Sequence, residues 1–318
     1  MKLCINNLEG KLSELNIGPV IFAKRISYEL EKLGVEIVKG NENHNILLVF
    51  ADDSNTPSKI EKSRKKGAKI IQRLDGIYHT FDENFRKLNN PIKKCYEESD
   101  SIIFQSYFNK KMVERYFGPT DKQNFIIHNG VDPLKFGKNL RRNEKNIFLC
   151  SAKWRADKRL SSIVEGFGTF NNKNSELWVL GEPDYILKND NIKYFGEVNS
   201  ERLPSFYNKS DFFLHLSYDD SCSNSVVEAL VSGLPVICTN NGGTKELVKM
   251  SGEIIPEKEY DLKPYFRNEI PSVNRIKVKE AIQSCLENKD NYKFPRDDLY
   301  IENCAKKYID VFNQTLNL

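Results

Sequence analysis

The segment Ser217 to Glu246, SYDDSCSNSVVEALVSGLPVICTNNGGTKE, holds the densest set of side chains able to do chemistry. Asp220 and Glu228 are separated by seven residues, the first in a loop after a strand and the second in the opening turn of a helix. Both would face the carboxyl edge of a sheet, where open α/β folds bind their ligands. Between them Ser221 to Ser225 lead into the helix with backbone amides that no preceding turn satisfies, a ready anion site. Gly233 ends the helix, Pro235 to Thr239 reads as a buried strand, and Gly242-Gly243 opens a tight loop beside the same edge. Plainer readings stand beside these. Ser225-Val226-Val227-Glu228 also has the form of a capping box, in which Glu228 only holds the helix start. Asp220 taken alone is a solvated loop acid.

The elements that must position these groups follow a βαβ rhythm. In the first half, strands are expected at Lys2 to Asn6, Asn45 to Phe50, Lys69 to Leu74, Ser101 to Gln105 and Asn124 to His128. Helices are expected at Phe22 to Leu33 and Lys59 to Lys66. Phe22, Ile26, Leu30 and Leu33 fall at helical spacing, and Gly34 follows where a left-handed cap belongs. Gly130 to Arg142 is aperiodic and turn-rich, which suggests a linker. Beyond it come strands at Ile147 to Ser151, Leu177 to Leu180, Ile192 to Phe195, Phe212 to Leu216 and Pro235 to Thr239, with helices near 159–170, 200–208 and 224–232. Unbroken apolar strands suit a sheet covered on both faces. A last helix, Tyr300 to Phe312, carries Ile301, Ala305, Tyr308, Ile309 and Phe312 on one stripe with no strand after it, so it must dock on something already built.

Composition narrows the class. The 318 residues include 48 Lys+Arg and 44 Asp+Glu, a net charge of +4, and 39% apolar residues, enough to bury a sizeable core. Two domains of roughly 150 residues are expected. No long uncharged apolar run and no signal-peptide pattern occur, so a cytoplasmic protein is expected. Seven scattered cysteines without a CxxC pair argue against a disulfide framework or a thiolate metal site. GxGxxG is missing after the first strand of either half, which removes nicotinamide oxidoreductases. The six basic residues of Lys59 to Lys69 read as the wet face of a helix, with attraction to an anionic membrane or acceptor as the second reading.

The ordered set Asp220, seven residues, Glu228-Ala229-Leu230, Gly233-Leu234-Pro235-Val236 and Gly242-Gly243 resembles the signature of the GT-B glycosyltransferases of family 4. The departure is Asp where that family usually has Glu. Asn129-Gly130-Val131-Asp132 with Phe136 resembles the segment by which the family leaves its N-terminal domain, and Lys153 and Lys158 match the cations that clamp a donor diphosphate. The resemblance implies two Rossmann-like domains facing across a cleft, with a C-terminal helix crossing back to the first domain. Expected bounds are 1–135 for the acceptor domain, 136–297 for the donor domain and 298–318 for the returning helix.

It also implies retaining transfer from a nucleotide-diphosphate sugar, such as a UDP- or GDP-sugar, to a glycan, glycolipid or glycoprotein hydroxyl. Neither cofactor, metal nor nucleic acid is expected. Glu228 would accept from the donor ribose, and Asp220 would grip the sugar hydroxyls. Amides of Asn224, Ser225 and Val226 would serve the phosphates, and Val198 in the Gly196-Glu197-Val198 turn the base. Asp75 and, second, His79 are candidates near the transferred sugar, and Gly18 for the loop approaching the phosphate or acceptor. Asp75 as the cap of a turn, His79 packed in a loop, and Gly18-Pro19 as a plain helix start are the structural alternatives. At the level of function the alternatives are a catalytically silent sugar-nucleotide-binding protein and a non-hydrolysing epimerase.

Overall fold

A computed structural model describes residues 1–8, 18–50, 56–137 and 144–318. In chain order the elements begin with β1 (Lys2–Ile5), α1 (Gly18–Lys32), β2 (Glu36–Val38), β3 (Ile46–Phe50), α2 (Thr56–Lys65), β4 (Lys69–Leu74) and α3 (Phe85–Glu98). Then come β5 (Ser101–Phe104), α4 (Tyr107–Phe117), β6 (Gln123–Ile126), α5 (Pro133–Phe136), β7 (Asn146–Ser151), α6 (Leu160–Phe170), β8 (Ser175–Leu180) and β9 (Ile192–Tyr194). The chain continues through α7 (Leu203–Asn208), β10 (Phe212–His215), α8 (Asn224–Val231), β11 (Val236–Thr239), α9 (Thr244–Val248), β12 (Gly252–Ile255), α10 (Arg275–Glu287) and α11 (Ile301–Leu316).

Two compact units result, one of Met1–Gly130 with Ile301–Leu318 and one of Val131–Tyr300. These bounds differ from the expected 135/136 and 297/298. Val131 bridges Tyr300, and Val131, Phe136 and Leu299 share one buried cluster with α8, so both crossing segments pack with the second unit.

Among the described residues, the first unit has a parallel sheet in the order β2-β1-β3-β4-β5-β6. α1 and α11 cover one face, joining Leu3, Ile5, Leu48, Phe50 and Ile71 in one core. Leu33 departs from the expected stripe and is 37% exposed. Gly34, at φ +86°, turns the chain so that the Val35 amide donates to Leu30 O at 3.0 Å, and Val35 is buried in the place Leu33 was expected to fill. α3 was not expected from sequence; Pro91 lies inside it, yet its buried Ile92, Cys95 and Tyr96 pack against the sheet.

Of the expected stripe of α11, Ile301, Ala305, Tyr308 and Phe312 are buried and Ile309 only partly, while Cys304 and Val311, which were not expected, are buried beside them. The anchor of α11 is Arg73 of β4, only 1% exposed, whose Nε donates to Tyr308 Oη at 3.0 Å while the guanidinium lies over Phe22 at 4.1 Å. A buried cation that loses an acceptor is costly, so Tyr308→Phe should lower stability by about 1.5 kcal/mol with little change in packing. Chemical denaturation measures this, and equal stability of the variant would remove the anchoring role.

The second unit's sheet runs β12-β11-β10-β7-β8-β9, again all parallel among the described strands. Phe212 to His215 and Val236 to Thr239 are buried throughout, as strands covered on both faces require. α6 and α10 cover one face, while α5 and α7 to α9 pack on the other. All seven cysteines are unbridged and buried. No described helix is long and apolar enough to cross a membrane.

Candidate functional site

Strand order locates the site. In the second unit β7 is followed on one side by β8 and β9, whereas the chain later returns to β7's other edge with β10. The order therefore reverses between β7 and β10, and a crevice opens outside their carboxyl ends, the position at which open α/β sheets bind ligands. Two loops border it, residues 152–159 after β7 and 216–223 after β10. The corresponding reversal in the first unit lies between β1 and β3; after the short 3-10 turn Asn6–Leu8, residues 9–17 and 51–55, including Asp52 and Asp53, fall outside the described residues.

The loop after β7 ends in a short 3-10 turn, Ala156–Lys158. It delivers Lys158 Nζ to 2.7 Å from Asp220 Oδ2 and 3.2 Å from Ser217 Oγ, with Asp157 at 3.6 Å. The two side chains are only 16% and 17% exposed. Burial pushes the Asp220 carboxyl up, but the Lys158 ammonium and then His215 outweigh it and hold the group well below the usual carboxylate range. Burial likewise opposes the Lys158 charge, and Asp220 with Asp157 raises its pKa above the ordinary lysine value. Both groups are therefore charged at neutral pH.

Lys158 and Asp220 had been assigned to separate parts of a ligand, and the structure pairs them with each other. Lys153 stands exposed in the same loop. Neighbouring Arg159, at φ +53°, is buried; it grips Glu257 through both terminal nitrogens at 2.9 and 3.0 Å and donates to Thr239 and Leu216. This fork ties the ends of β10 and β11 together. Sequence reasoning missed it, although the adjacent basic residues of Lys158-Arg159 were a signal.

Gly242 and Gly243 hold Asp220 from the other side. The Gly243 amide donates to Asp220 O at 2.8 Å, and a Cβ on Gly242, at φ +73°, would lie 2.9 Å from that oxygen. Only glycine allows this approach. Behind the loop, Tyr218, Tyr260 and Tyr265 stack edge to face or tilted at 5.2 to 5.6 Å, and Tyr265 Oη donates to Asp219 Oδ2 at 2.5 Å. None of these tyrosines was singled out from sequence.

α8 begins immediately after this loop with Ser223 as its N-cap residue. Glu228 is the fifth residue of the helix, so a capping box with Ser225 is not formed; Ser225 Oγ instead meets Ser223 Oγ at 2.9 Å. Glu228 is 4% exposed and Val226 fully buried, so Val226 has only backbone to offer a ligand. Asn224 and Ser225 are half-buried in the first turn, at the positive end of the helix dipole. Val198 is partly buried against the cluster that includes Val226.

The first unit holds the remaining candidates. The Asp75 carboxylate is paired with the Arg73 guanidinium and accepts from Gln105 Nε2 at 3.2 Å, so its principal partners are structural. His79 Nδ1 donates to Ile77 O at 2.9 Å, since a carbonyl can only accept, and the ring meets Tyr116 edge-on. Gly18 is exposed at the first residue of α1. Among the described residues no three His, Cys, Asp or Glu converge as metal ligands would.

Residues 131–262, which contain the crevice, Lys158, Asp220 and Glu228, match the family model "Glycosyl transferases group 1". The family likeness thus lies within the second unit. The mannosyltransferase RfbU of Salmonella typhimurium, an O-antigen chain enzyme, is 21% identical over 164 residues, covering 48% of this chain and 44% of that one. An uncharacterised glycosyltransferase of Methanocaldococcus jannaschii, MJ1059, is 27% identical over 197 residues, covering 55% and 47%. The chain thus spans about half the length of these curated relatives.

Among solved structures, Anabaena HepE in complex with UDP-glucose aligns with TM-score 0.66 at 14% identity, covering 100% of this chain and 98% of HepE. A glycosyltransferase of Rickettsia africae gives 0.66 at 14% identity, with coverage of 99% and 90%. The chain therefore has the GT-B fold, built from the two parallel sheets described above.

Proposed function

We propose that this chain transfers a glycosyl group from a nucleotide-diphosphate sugar to a hydroxyl acceptor, with retention of anomeric configuration and without a metal. One observation carries the reading: Lys158 and Asp220 meet at the strand-order reversal of the second unit, beside the start of α8. HepE, which shares the fold, was solved with UDP-glucose.

In this reading Lys153 and Lys158 neutralise the charge that develops on the diphosphate as it leaves. Amides of Asn224, Ser225 and Val226 receive its oxygens. Glu228 accepts from the ribose, Asp220 from the sugar hydroxyls, and backbone groups near Val198 read the base. The acceptor oxygen attacks the anomeric carbon on the face from which the phosphate oxygen departs, and that oxygen takes the acceptor proton. Asp75 and, second, His79 serve the transferred sugar and the acceptor, and Gly18 the loop that approaches the donor phosphate or the acceptor. A glycan, glycolipid or glycoprotein supplies the hydroxyl.

Calorimetry with a panel of UDP-, GDP- and ADP-sugars, followed by transfer assays in EDTA, tests this. Binding of one donor and activity that survives EDTA are expected. Binding of none, or complete loss of activity that Mg²⁺ or Mn²⁺ restores, would overturn the donor reading or its metal independence respectively.

A further inference from the structure

The ion pair between Lys158 and Asp220 poses a physical problem. If a diphosphate draws Lys158 towards itself, the Asp220 carboxylate stays behind, largely buried, without its principal cation. We infer that His215 is a positioning residue that takes over the Asp220 carboxylate when Lys158 engages the donor. This rests on the donor-site reading above only for what displaces Lys158; the partnership of His215 with Asp220 rests on the geometry that follows.

His215 is the last residue of β10 and is 5% exposed. Its Nε2 is buried without a hydrogen-bond partner and lies 3.6 Å from Asp220 Oδ2, the oxygen that Lys158 holds at 2.7 Å. A shift of a few tenths of an ångström makes a hydrogen bond from Nε2–H. A buried ring nitrogen left without a partner is costly, and Asp220 is the acceptor within reach.

The surroundings leave little else to play this part. Phe213 stacks on the imidazole at 6.4 Å, and the paired residue on β11 is Cys238, whose thiol burial pushes up to about 12 and so keeps neutral. Arg159 is turned towards Glu257, Thr239 and Leu216. Asp157 lies by Lys158 and holds Arg155.

Burial now keeps the imidazole below its ordinary pKa, with Asp220 opposing and Lys158 and Arg159 adding to the depression. Moving Lys158 away removes one of these depressing charges and leaves Asp220 uncompensated. Both changes favour the imidazolium, so His215 takes one proton from solvent and donates Nε2–H to the carboxylate.

Histidine-ring NMR titration of the full chain, which has four histidines, tests the inference. In Lys158→Met the His215 titration should move up by about one unit or more. In Lys158→Met/Asp220→Asn it should return to or below its wild-type position. A folded Lys158→Met protein whose His215 titrates as in wild type overturns the inference.

A second arm uses UDP-glucose and GDP-mannose, diphosphate diesters with no group of their own titrating near neutrality. His215→Gln keeps a donor nitrogen near the Nε2 position and should bind within about threefold of wild type, whereas His215→Leu should lose about tenfold. Equal loss in both variants overturns the positioning role. An upward shift in Lys158→Met, together with no binding of any nucleotide sugar by the wild-type protein, supports the His215–Asp220 partnership and sinks the donor reading instead.

Discussion

Glu228→Gln is expected to fold normally and to bind its nucleotide sugar ten- to a hundredfold more weakly. Glutamine is nearly isosteric, and the side chain is five residues past the N-cap residue Ser223, so it stands outside a capping box. In the proposed donor site the variant loses a charge-assisted hydrogen bond to a ribose hydroxyl, on the order of 1.5 to 3 kcal/mol. Calorimetry of the folded variant measures it. Unchanged donor affinity would take Glu228 out of the site and leave a buried acid with a purely structural role.

Asp220→Asn is expected to cost roughly 3 kcal/mol of stability, because it leaves the Lys158 ammonium largely buried without its main partner. The value sits at the low end for a broken buried pair, since Asp157 remains 3.6 Å away and both side chains keep some exposure to water. The sign with pH follows from the depressed carboxyl. Its contribution is complete above the unfolded value of about 4 and fades as pH falls through the lower folded value. The gap between wild type and variant should be level from about pH 5 to 8 and narrow below about pH 4. Denaturation at neutral and acid pH decides this; a gap that widens in acid contradicts the pairing. Ligand binding should split in the same variant. On the proposed donor reading, free UDP needs only a released Lys158 and should bind as well as to wild type or better, while the sugar nucleotide should lose affinity because Asp220 would no longer accept from its hydroxyls.

Much of the fold was legible in the residues because a parallel sheet covered on both faces leaves unbroken apolar runs. Lys69 to Leu74 coincides with the observed β4, and the other expected strands agree with the structure to within a residue or two at each end. β2 and β12 escaped notice: they are short edge strands whose residues are half-exposed or exposed in most positions, so no continuous apolar run marks them. α3 was hidden by Pro91, which reads as a breaker until packing of Ile92 and Tyr96 against the sheet outweighs it. The order and types of Asp220, Glu228, Gly233-Leu234-Pro235 and Gly242-Gly243 were enough to point to the family, since those types are demanded by a strand, a turn and a helix that lie close together in the chain.

Tertiary structure alone decided what those residues do to one another. Lys158 and Asp220 are 62 positions apart, and nothing in either local pattern says that the loop after β7 meets the loop after β10. Their meeting follows from β10 pairing with β7, a consequence of which buried edges fit. The same holds for His215, which reads as one more residue of an apolar strand until its ring nitrogen is found against Asp220. Likewise Ser223 and not Ser225 occupies the N-cap position of α8, which the Ser225-to-Glu228 pattern alone did not reveal. Local periodicity reports which side chains must be buried. Charge pairing and helix register at a site depend on which neighbours they are buried against, and only long-range packing determines that.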